Sequence, residues 1–249
     1  MSLRVRPPLS PRAALRWDVV RRRVATLRPA NILEVGCGLG AVGTYLAGAA
    51  PYTAVEPDDQ SFAVAHERIT PLGGTVIHGD HNKVPDGTTY DLVCAFEVLE
   101  HIADDAAALA AWLPLVRPGK HLLLSVPADP QRFGPSDVLA GHYRRYTAEQ
   151  LHGVLADAGA EQIDILHYGW PLGYILDSVR DRLAARRTAT AAESALDRTH
   201  TSGRLFQPRG AAAGRLIRAA VAPFAAVQRL RPGHGPGLIA LAMRPTASS

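Results

Sequence analysis

The segment Ile32-Leu33-Glu34-Val35-Gly36-Cys37-Gly38-Leu39-Gly40 decides the fold of this 249-residue chain. It joins a short apolar run to three alternating glycines, and the helix-like stretch Ala41–Ala49 follows. Glycine lets a backbone turn sharply and approach a ligand closely, and the amides of the next helix start favour an oxygen-rich group. The pattern therefore predicts a strand, a ligand-binding loop and a helix in direct succession.

Outward from this segment, short apolar runs alternate with amphipathic stretches. The predicted strands are Ile32–Val35, Tyr52–Glu56, Thr75–His78, Asp91–Phe96, His121–Val126 and Gln162–Leu166. The predicted helices between them are Ala41–Ala49, Asp59–Ile69, Asp104–Val116 and Ala148–Ala158. Asp58 and Thr147 each offer a side-chain oxygen to cap the helix that follows. Repeated alternation indicates a parallel sheet covered on both faces, with ligands beyond the carboxyl ends of its strands.

Charge divides the chain into an acidic middle and two basic flanks. Residues 1–30 hold eight arginines and one acid, and residues 166–249 hold twelve arginines and four acids. Residues 31–165 hold seven basic and 18 acidic groups. With 47% hydrophobic and 20% charged residues, wholesale disorder is excluded. No apolar run approaches the ~20 residues of a membrane-spanning helix and the N-terminus lacks an apolar signal core, so we expect a cytoplasmic protein.

Acids and a histidine follow the other predicted strands. Glu56 ends the second strand, where an acid accepts hydrogen bonds from ribose hydroxyls in open sheets. Asp80 follows the third strand, and Phe96–Ile102 carries two carboxylates and a histidine after the fourth. The frame Gly38-x-Gly40-x-x-Gly43 also satisfies the dinucleotide fingerprint, so the glycines alone leave a nicotinamide cofactor open. The cysteines Cys37 and Cys94 predict neither a disulfide framework nor a thiolate metal cluster.

Five ordered motifs resemble those of class I S-adenosylmethionine-dependent methyltransferases, in the branch that includes ubiquinone-biosynthesis methyltransferases. They are Glu34–Gly40, Glu56, Gly79-Asp80, Phe96–Ile102 and Arg117–Lys120. The resemblance implies an α/β fold with a doubly wound, Rossmann-like sheet of seven mostly parallel strands, the last one antiparallel. The candidate for that last strand is the apolar segment 237–244.

The resemblance also implies S-adenosyl-L-methionine as the cofactor. The residues it assigns to cofactor binding are Glu34, Gly36, Gly38, Gly40, Glu56, Asp80, His81, Phe96 and Glu97. Of these, Glu34 is expected near the methionine amino group, Glu56 on the ribose hydroxyls and Asp80 beside the adenine. Phe96 and Glu97 are expected at the methionine end. The ten histidines show no ligand spacing that requires a metal, so none is predicted.

Two histidines, His101 and His142, are the candidate catalytic residues. His101 lies in the loop after the fourth strand, where its alternative is a structural role at the next helix. His142 lies in the twenty-residue connection 127–146, a length typical of a lid or binding loop. Asp137 is near enough in sequence to orient it, and the segment resembles an Asp-x4-His-x-Arg-x-Tyr-Thr pattern of the same branch. The alternative is that this segment only latches the lid onto helix 148–158.

The candidate substrate residues come from this connection and from the segments outside the core. They are Trp17, Tyr143, Arg145, Tyr146 and Trp170. Trp17 falls in a predicted helix Pro11–Leu27, and core packing is its alternative. We expect one domain over residues 1–249. Its parts are an N-terminal helical cover at 1–30, a cofactor-binding core at 31–168, a helical insertion at 169–236 and the last strand at 237–244. Within the insertion, the polar stretch Thr188–Gly203 is predicted to be mobile.

The sequence thus predicts a methyltransferase acting on a hydroxyl of a small or lipid-like molecule, quinone-like or a secondary metabolite. Methylation of nitrogen or carbon stays open, as do an NAD(P)-dependent oxidoreductase and a non-catalytic, membrane-associated cofactor-binding module. The basic amphipathic segment 211–231 is expected to cover the core of its own domain, and peripheral contact with an anionic membrane is its alternative. Nucleic acid is disfavoured, because 6% aromatic residues offer few stacking platforms and no recognised motif is present.

Overall fold

A computed structural model describes residues 6–188 and 211–246 of the chain. The strands are β1 Ile32–Val35, β2 Tyr52–Glu56, β3 Thr75–His78, β4 Tyr90–Phe96, β5 Val116–Pro127, β6 Glu161–Tyr168 and β7 Gly237–Met243. The helices are α1 Pro11–Leu27, α2 Gly43–Leu46, α3 Asp59–Ile69, α4 Asp105–Trp112, α5 Pro135–Ala140, α6 Ala148–Asp157, α7 Leu172–Thr188 and α8 Ala211–Val227.

The seven strands form one sheet in the order β3-β2-β1-β4-β5-β7-β6. Strands β1 to β5 pair in parallel, and β7 lies antiparallel between β5 and β6. The predicted fold class, including the antiparallel last strand, is therefore confirmed. Strand order reverses between β1 and β4, and the carboxyl ends at this switch point are where such sheets bind ligands.

Helices cover both faces of the sheet with separate apolar clusters. On one face, Trp112 of α4 and Leu151 of α6 pack against the strands. On the other face, Leu15 of α1, Ile69 of α3 and Val221 of α8 do the same. The apolar side of α8 thus covers the core of its own chain, the second of the two roles expected for segment 211–231. No helix in the described parts of the chain has the length and apolarity to cross a membrane.

Helix starts follow the predicted capping chemistry. The Asp58 carboxylate accepts a hydrogen bond from the amide of Ser61 at the start of α3. Thr147 and Gln150 bond each other's backbone amides at the start of α6. These caps satisfy first-turn amides that have no partner within the helix, and they fix where each helix leaves the sheet edge.

One helix was predicted too long. Helix α2 covers only Gly43–Leu46, shorter than the predicted 41–49, since the glycine loop extends further along the chain. The connection 127–146 contains a helical turn at Pro130–Arg132 and α5, and its role as a lid or binding loop stays a prediction. The expected mobile stretch Thr188–Gly203 lies outside the described residues, apart from the end of α7.

Candidate functional site

The glycine loop after β1 has a backbone that only glycine adopts readily. Gly36, Gly38 and Gly40 have φ angles of +70°, +55° and +71°, in the left-handed region that penalises a side chain. A Cβ added to Gly36 would lie 2.8 Å from a methyl of Val98, whereas one added to Gly38 would meet nothing within 4 Å. The three glycines are therefore needed for the turn, and Gly38 in addition borders open space at the sheet edge.

Glu56 ends β2 beside this loop and is held by two backbone amides. Its Oε2 accepts a hydrogen bond from the Gly38 amide at 2.7 Å, and its Oε1 accepts one from the Asp58 amide at 3.0 Å. The carboxylate is buried. A fixed acid next to a glycine loop can accept hydrogen bonds from ribose hydroxyls, and this role of Glu56 stays a prediction.

Glu34 lies on β1, next to the strand that Glu56 ends. It is buried, and its Oε2 accepts a hydrogen bond from the Tyr52 hydroxyl at 2.5 Å. Burial raises the pKa of Glu34 to about 7, against the opposing effects of the Tyr52 hydroxyl and the Arg16 charge. Its expected contact with a methionine amino group stays a prediction, and in this structure Tyr52 is its hydrogen-bond partner.

Asp80 and His81 follow β3 at the exposed edge of the same loop cluster. Asp80 caps a helical turn at His81–Lys83 through the Asn82 amide, at 2.9 Å. Neither side chain is buried. Both lie after the carboxyl end of β3, where the resemblance places the adenine, and their role stays a prediction.

Glu97 follows β4 with strained backbone. Its φ of +58° is unusual for a residue with a side chain, and such strain is stored most often at functional sites. The Ser125 and Tyr168 hydroxyls both donate to its Oε1 at 3.1 Å. Arg12 and Arg16 of α1 approach the carboxylate at 3.5 and 3.4 Å.

These arginines decide the charge state of Glu97. Burial by itself would raise the pKa of this carboxyl, but Arg12 and Arg16 lower it to about 2. The Arg16 guanidinium also lies 5.8 Å from the centre of the Phe96 ring. The N-terminal helix therefore contributes two cations to the end of β4, which places Phe96 and Glu97 under the cover that α1 forms.

Glu100, His101 and His142 meet beyond the end of β4. One possible ligand atom from each lies within 4.8 Å of the others, so the three side chains could together hold a divalent cation. Both Glu100 oxygens are buried without a hydrogen-bond partner among the described residues. Burial raises the pKa of Glu100 well above its usual range, with the Glu97 charge adding to it. The expectation that the protein needs no metal stays a prediction.

His142 is oriented by Asp137, as the spacing predicted. Nδ1 of His142 lies 2.8 Å from Oδ1 of Asp137, and Nε2 lies 4.0 Å from Oε1 of Glu100. Asp137 is buried and also accepts the Arg145 guanidinium, whose Nε lies 2.9 Å from both carboxylate oxygens. A histidine fixed through Nδ1 presents Nε2 as a base toward the site. His101 packs edge-on against His142, with ring centres 4.6 Å apart, and burial lowers the pKa of His101 to about 4.

The five candidate substrate residues differ in their surroundings. The Tyr146 hydroxyl donates to Asp105 of α4 at 2.7 Å, and the guanidinium of Arg145 is engaged with Asp137, so both are anchored inside the protein. Tyr143 is 61% exposed. Their contacts with a substrate stay predictions.

The two tryptophans lie on the cover. Trp17 stacks at a tilt on Tyr45, with ring centres 5.1 Å apart, and both border a cavity of about 310 Å³ between α1, α2 and α8. Trp170 lies under the Arg231 guanidinium, 5.0 Å from its ring centre. Trp17 also packs against the core cluster, so its packing alternative is confirmed, while substrate contact by either ring stays a prediction.

Sequence reasoning missed the cations that hold the site. Arg12 and Arg16 are one helical turn apart on α1, and Asp177 of α7 accepts the Arg12 guanidinium at 2.6 Å. The available signal was the charge division, because basic flanks around an acidic core favour ion pairs between cover and core. It could not identify which arginine meets which acid.

Residues 12–165 match a family described as the methyltransferase domain. The chain is 31% identical over 157 residues to a probable S-adenosylmethionine-dependent methyltransferase of Mycolicibacterium smegmatis, covering 61% of this chain and 60% of that protein. It is 29% identical over 123 residues to a ubiquinone biosynthesis O-methyltransferase of Aromatoleum aromaticum, covering 47% and 52%. The chain thus spans little more than half the length of these curated relatives.

Solved structures share the fold at lower identity. The [4+2]-cyclase SpnF has a TM-score of 0.56 at 21% identity, covering 95% of this chain and 83% of that one. Phosphoethanolamine N-methyltransferase 2 of Haemonchus contortus, solved with S-adenosyl-L-methionine, has a TM-score of 0.55 at 15% identity, covering 94% and 56%. A cyclase and a methyltransferase on one architecture mean that the reaction must be argued from the site.

Proposed function

The chain belongs to the methyltransferase-domain family, and from that premise we propose that it transfers a methyl group from S-adenosyl-L-methionine to a hydroxyl of a small or lipid-like molecule. The observation that carries the proposal is the pairing of two features at one sheet edge. A glycine loop with a fixed acid, Glu56, lies on one side, and a histidine oriented by Asp137 lies on the other.

The glycine loop, Glu56 and Glu97 form one half of the site, which we call the cofactor half. This half fits S-adenosyl-L-methionine. Gly38 leaves open space where a Cβ would stand, and Glu56 presents a carboxylate fixed by backbone amides. Glu97 stays ionised at neutral pH beside Arg12 and Arg16, which keeps a hydrogen-bond acceptor at the predicted methionine end. When bound, this cofactor supplies an electrophilic methyl group, so the protein has to orient the acceptor and handle one proton.

His142, with Asp137 and Arg145 behind it, forms the other half of the site, which we call the acceptor half. This half favours a hydroxyl as the methyl acceptor. A neutral hydroxyl is a weak nucleophile and must lose its proton as it attacks, while a neutral amine attacks well and can lose its proton afterwards, so an oriented base benefits the hydroxyl most. His142 has Nδ1 fixed on Asp137 and Nε2 left to accept that proton. Asp137, 2.8 Å from Nδ1, would stabilise the imidazolium that results. The relative from Aromatoleum aromaticum is named an O-methyltransferase, which supports the same choice.

Methyl transfer from tritium-labelled S-adenosyl-L-methionine to a panel of phenols, catechols, primary amines and carbon acids tests the proposal. We expect label on a phenol or catechol oxygen, located by mass spectrometry. Label on nitrogen or carbon alone would contradict the hydroxyl assignment. No labelled product from the panel or a cell extract, despite binding of S-adenosylhomocysteine, would favour a non-catalytic binding module.

The oxidoreductase alternative has a separate outcome. S-adenosylhomocysteine is expected to raise the melting temperature, because a ligand that binds only the folded state stabilises it. NADH and NADPH are expected to leave it unchanged. A shift with NADH or NADPH and none with S-adenosylhomocysteine would overturn the cofactor assignment.

A further inference from the structure

We propose that Asp177, on α7 in the insertion, is a positioning residue that holds the cofactor half and the acceptor half of the site in one arrangement. The inference rests on the function proposed above. It concerns a carboxylate that contacts neither Glu97 nor His142 but lies between the arginines that support them. The insertion would then be part of the site's framework as well as a cover over it.

The first connection runs from Asp177 to the cofactor half. Nη1 of Arg12 lies 2.6 Å from Oδ1 of Asp177, and Nη2 of the same guanidinium lies 3.5 Å from Oε2 of Glu97. Only 2% of the Asp177 side chain and 13% of the Arg12 side chain are exposed. One arginine of α1 therefore bridges the strained end of β4 and the insertion helix.

The second connection runs from Asp177 to the acceptor half. Nη1 of Arg145 lies 3.4 Å from Oδ2 of Asp177, while its Nε and Nη2 hold both oxygens of Asp137 at 2.8 to 2.9 Å. Asp137 in turn holds Nδ1 of His142 at 2.8 Å. Each oxygen of Asp177 thus serves a different arginine, and the two arginines serve different halves of the site.

Charge balance makes this carboxylate important. Ion pairs in this cluster join the arginines Arg12, Arg16 and Arg145 to the carboxylates Glu97, Asp137 and Asp177. Three positive charges therefore face three negative charges. Removing the charge of Asp177 leaves Arg12 with Glu97 and Arg145 with Asp137 as their remaining carboxylates. Breaking a buried pair is costly because one charge stays uncompensated. We expect Arg12 and Arg145 to move toward their remaining partners.

The same helix offers a matched control. Asp181 lies one turn further along α7 and accepts hydrogen bonds from the Oγ and backbone amide of Ser136, at 2.5 and 3.2 Å. It fastens α7 to α5 without contacting either bridging arginine. Asp177→Asn and Asp181→Asn are therefore the same chemical change in the same helix, and only the first breaks the link between the halves.

Calorimetric titration with S-adenosylhomocysteine tests the cofactor side. We expect Asp177→Asn to raise the dissociation constant about tenfold, the order of effect of residues that act on a site without contacting its ligand. Asp181→Asn should stay within about twofold of the wild type. Equal affinities for wild type and Asp177→Asn would overturn the inference. Failure of the wild type itself to bind would instead count against the proposed function.

A double-variant cycle separates positioning from loss of stability. If Asp177 acts through Arg12, then Asp177→Asn should change the affinity of an Arg12→Gln protein by less than about twofold. An undiminished loss in that background would contradict the proposal. Should Asp177→Asn not fold, Arg12→Lys keeps the charge but loses the two-pronged contact, and unchanged affinity of that folded variant would also contradict it.

Nitrogen-15 spectra of the histidine rings test the acceptor side without any substrate. In the wild type, His142 should show a single tautomer protonated at Nδ1, assigned by its absence from His142→Gln. Asp177→Asn should mix the tautomers, and Asp181→Asn should not. A His142 spectrum unchanged by Asp177→Asn would show that Asp177 does not position His142.

Discussion

The cofactor half and the acceptor half of the site are built by different means. The cofactor half, at the ends of β1 and β2, is shaped by backbone: three left-handed glycines and amides that hold Glu56. The acceptor half, around His142, is shaped by side-chain ion pairs between segments far apart in sequence. A backbone-built loop tolerates few substitutions, whereas ion pairs depend on the cover being correctly docked, and Arg12 extends that dependence to Glu97 at the end of β4.

Replacing His142 should have the largest effect on the methyl-transfer rate, and this effect should be confined to the acceptor half. We expect His142→Gln to lower the methyl-transfer rate by about 10²- to 10⁴-fold, the usual contribution of a general base, with binding of S-adenosylhomocysteine unchanged. His152→Gln, at an exposed position on α6, is the control and should keep full turnover. Wild-type turnover in a His142→Gln protein would show that His142 is not the general base.

Adding a methyl group to Gly38 should damage the cofactor half alone. Gly38→Ala places a Cβ in the open space beside the loop, so we expect affinity for S-adenosylhomocysteine to fall about 10- to 100-fold, one to two steps of 1.4 kcal/mol. Gly87→Ala is a matched control, since Gly87 has a similar φ of +73° and an equally open Cβ position. Gly87→Ala measures how far the strain of a left-handed backbone, about 1–2 kcal/mol, lowers the free energy of unfolding. Equal affinity losses in both variants would show that Gly38 does not border the cofactor.

Glu34, buried in the cofactor half, should make the free energy of unfolding of the protein depend on pH. Its pKa is raised to about 7 in the folded protein, so the folded state binds this proton more tightly than the unfolded chain. The free energy of unfolding should therefore fall as pH rises from the ordinary glutamate range to about 7, by at most about 1.4 kcal/mol per pH unit. Glu34→Gln should remove this slope in urea titrations, and Glu161→Gln, at an exposed site, should keep it. Identical slopes in Glu34→Gln and the wild type would contradict the burial argument.

The smallest expected effect concerns the outer surface of the cover. Leu216 of α8 is 72% exposed, and Arg215 and Arg218 beside it are also exposed. We expect weak sedimentation with phosphatidylserine vesicles that decreases as salt rises, because screening weakens charge contacts. Leu216→Ser should reduce it further. No sedimentation at low salt would restrict α8 to covering the core.

Local rules were enough to predict the glycine turn, the buried acid beside it and the helix starts. The glycines, Glu56 and the caps Asp58 and Thr147 follow from backbone conformation and helix-end chemistry, which involve residues close in sequence. The pairing of Asp137 with His142 was also within reach, because only five residues separate them. Recognition of the motif order supplied the strand count and the antiparallel β7.

Long-range pairing explains what the sequence did not reveal. Asp177 meets Arg12 across 165 positions, and no local pattern distinguishes this acid from Asp181 one turn away. The helix α5 was missed because it is only six residues long and lies in a segment with no clear apolar period. Such features depend on how the cover docks, which is a property of the folded chain as a whole.

A crystal structure with S-adenosylhomocysteine would test the central claim most directly. We predict its ribose hydroxyls on Glu56, its sulfur near Glu97, and Nε2 of His142 facing the space beyond the sulfur. A ligand bound away from the glycine loop, or a His142 whose Nε2 points away from the sulfur, would contradict the account.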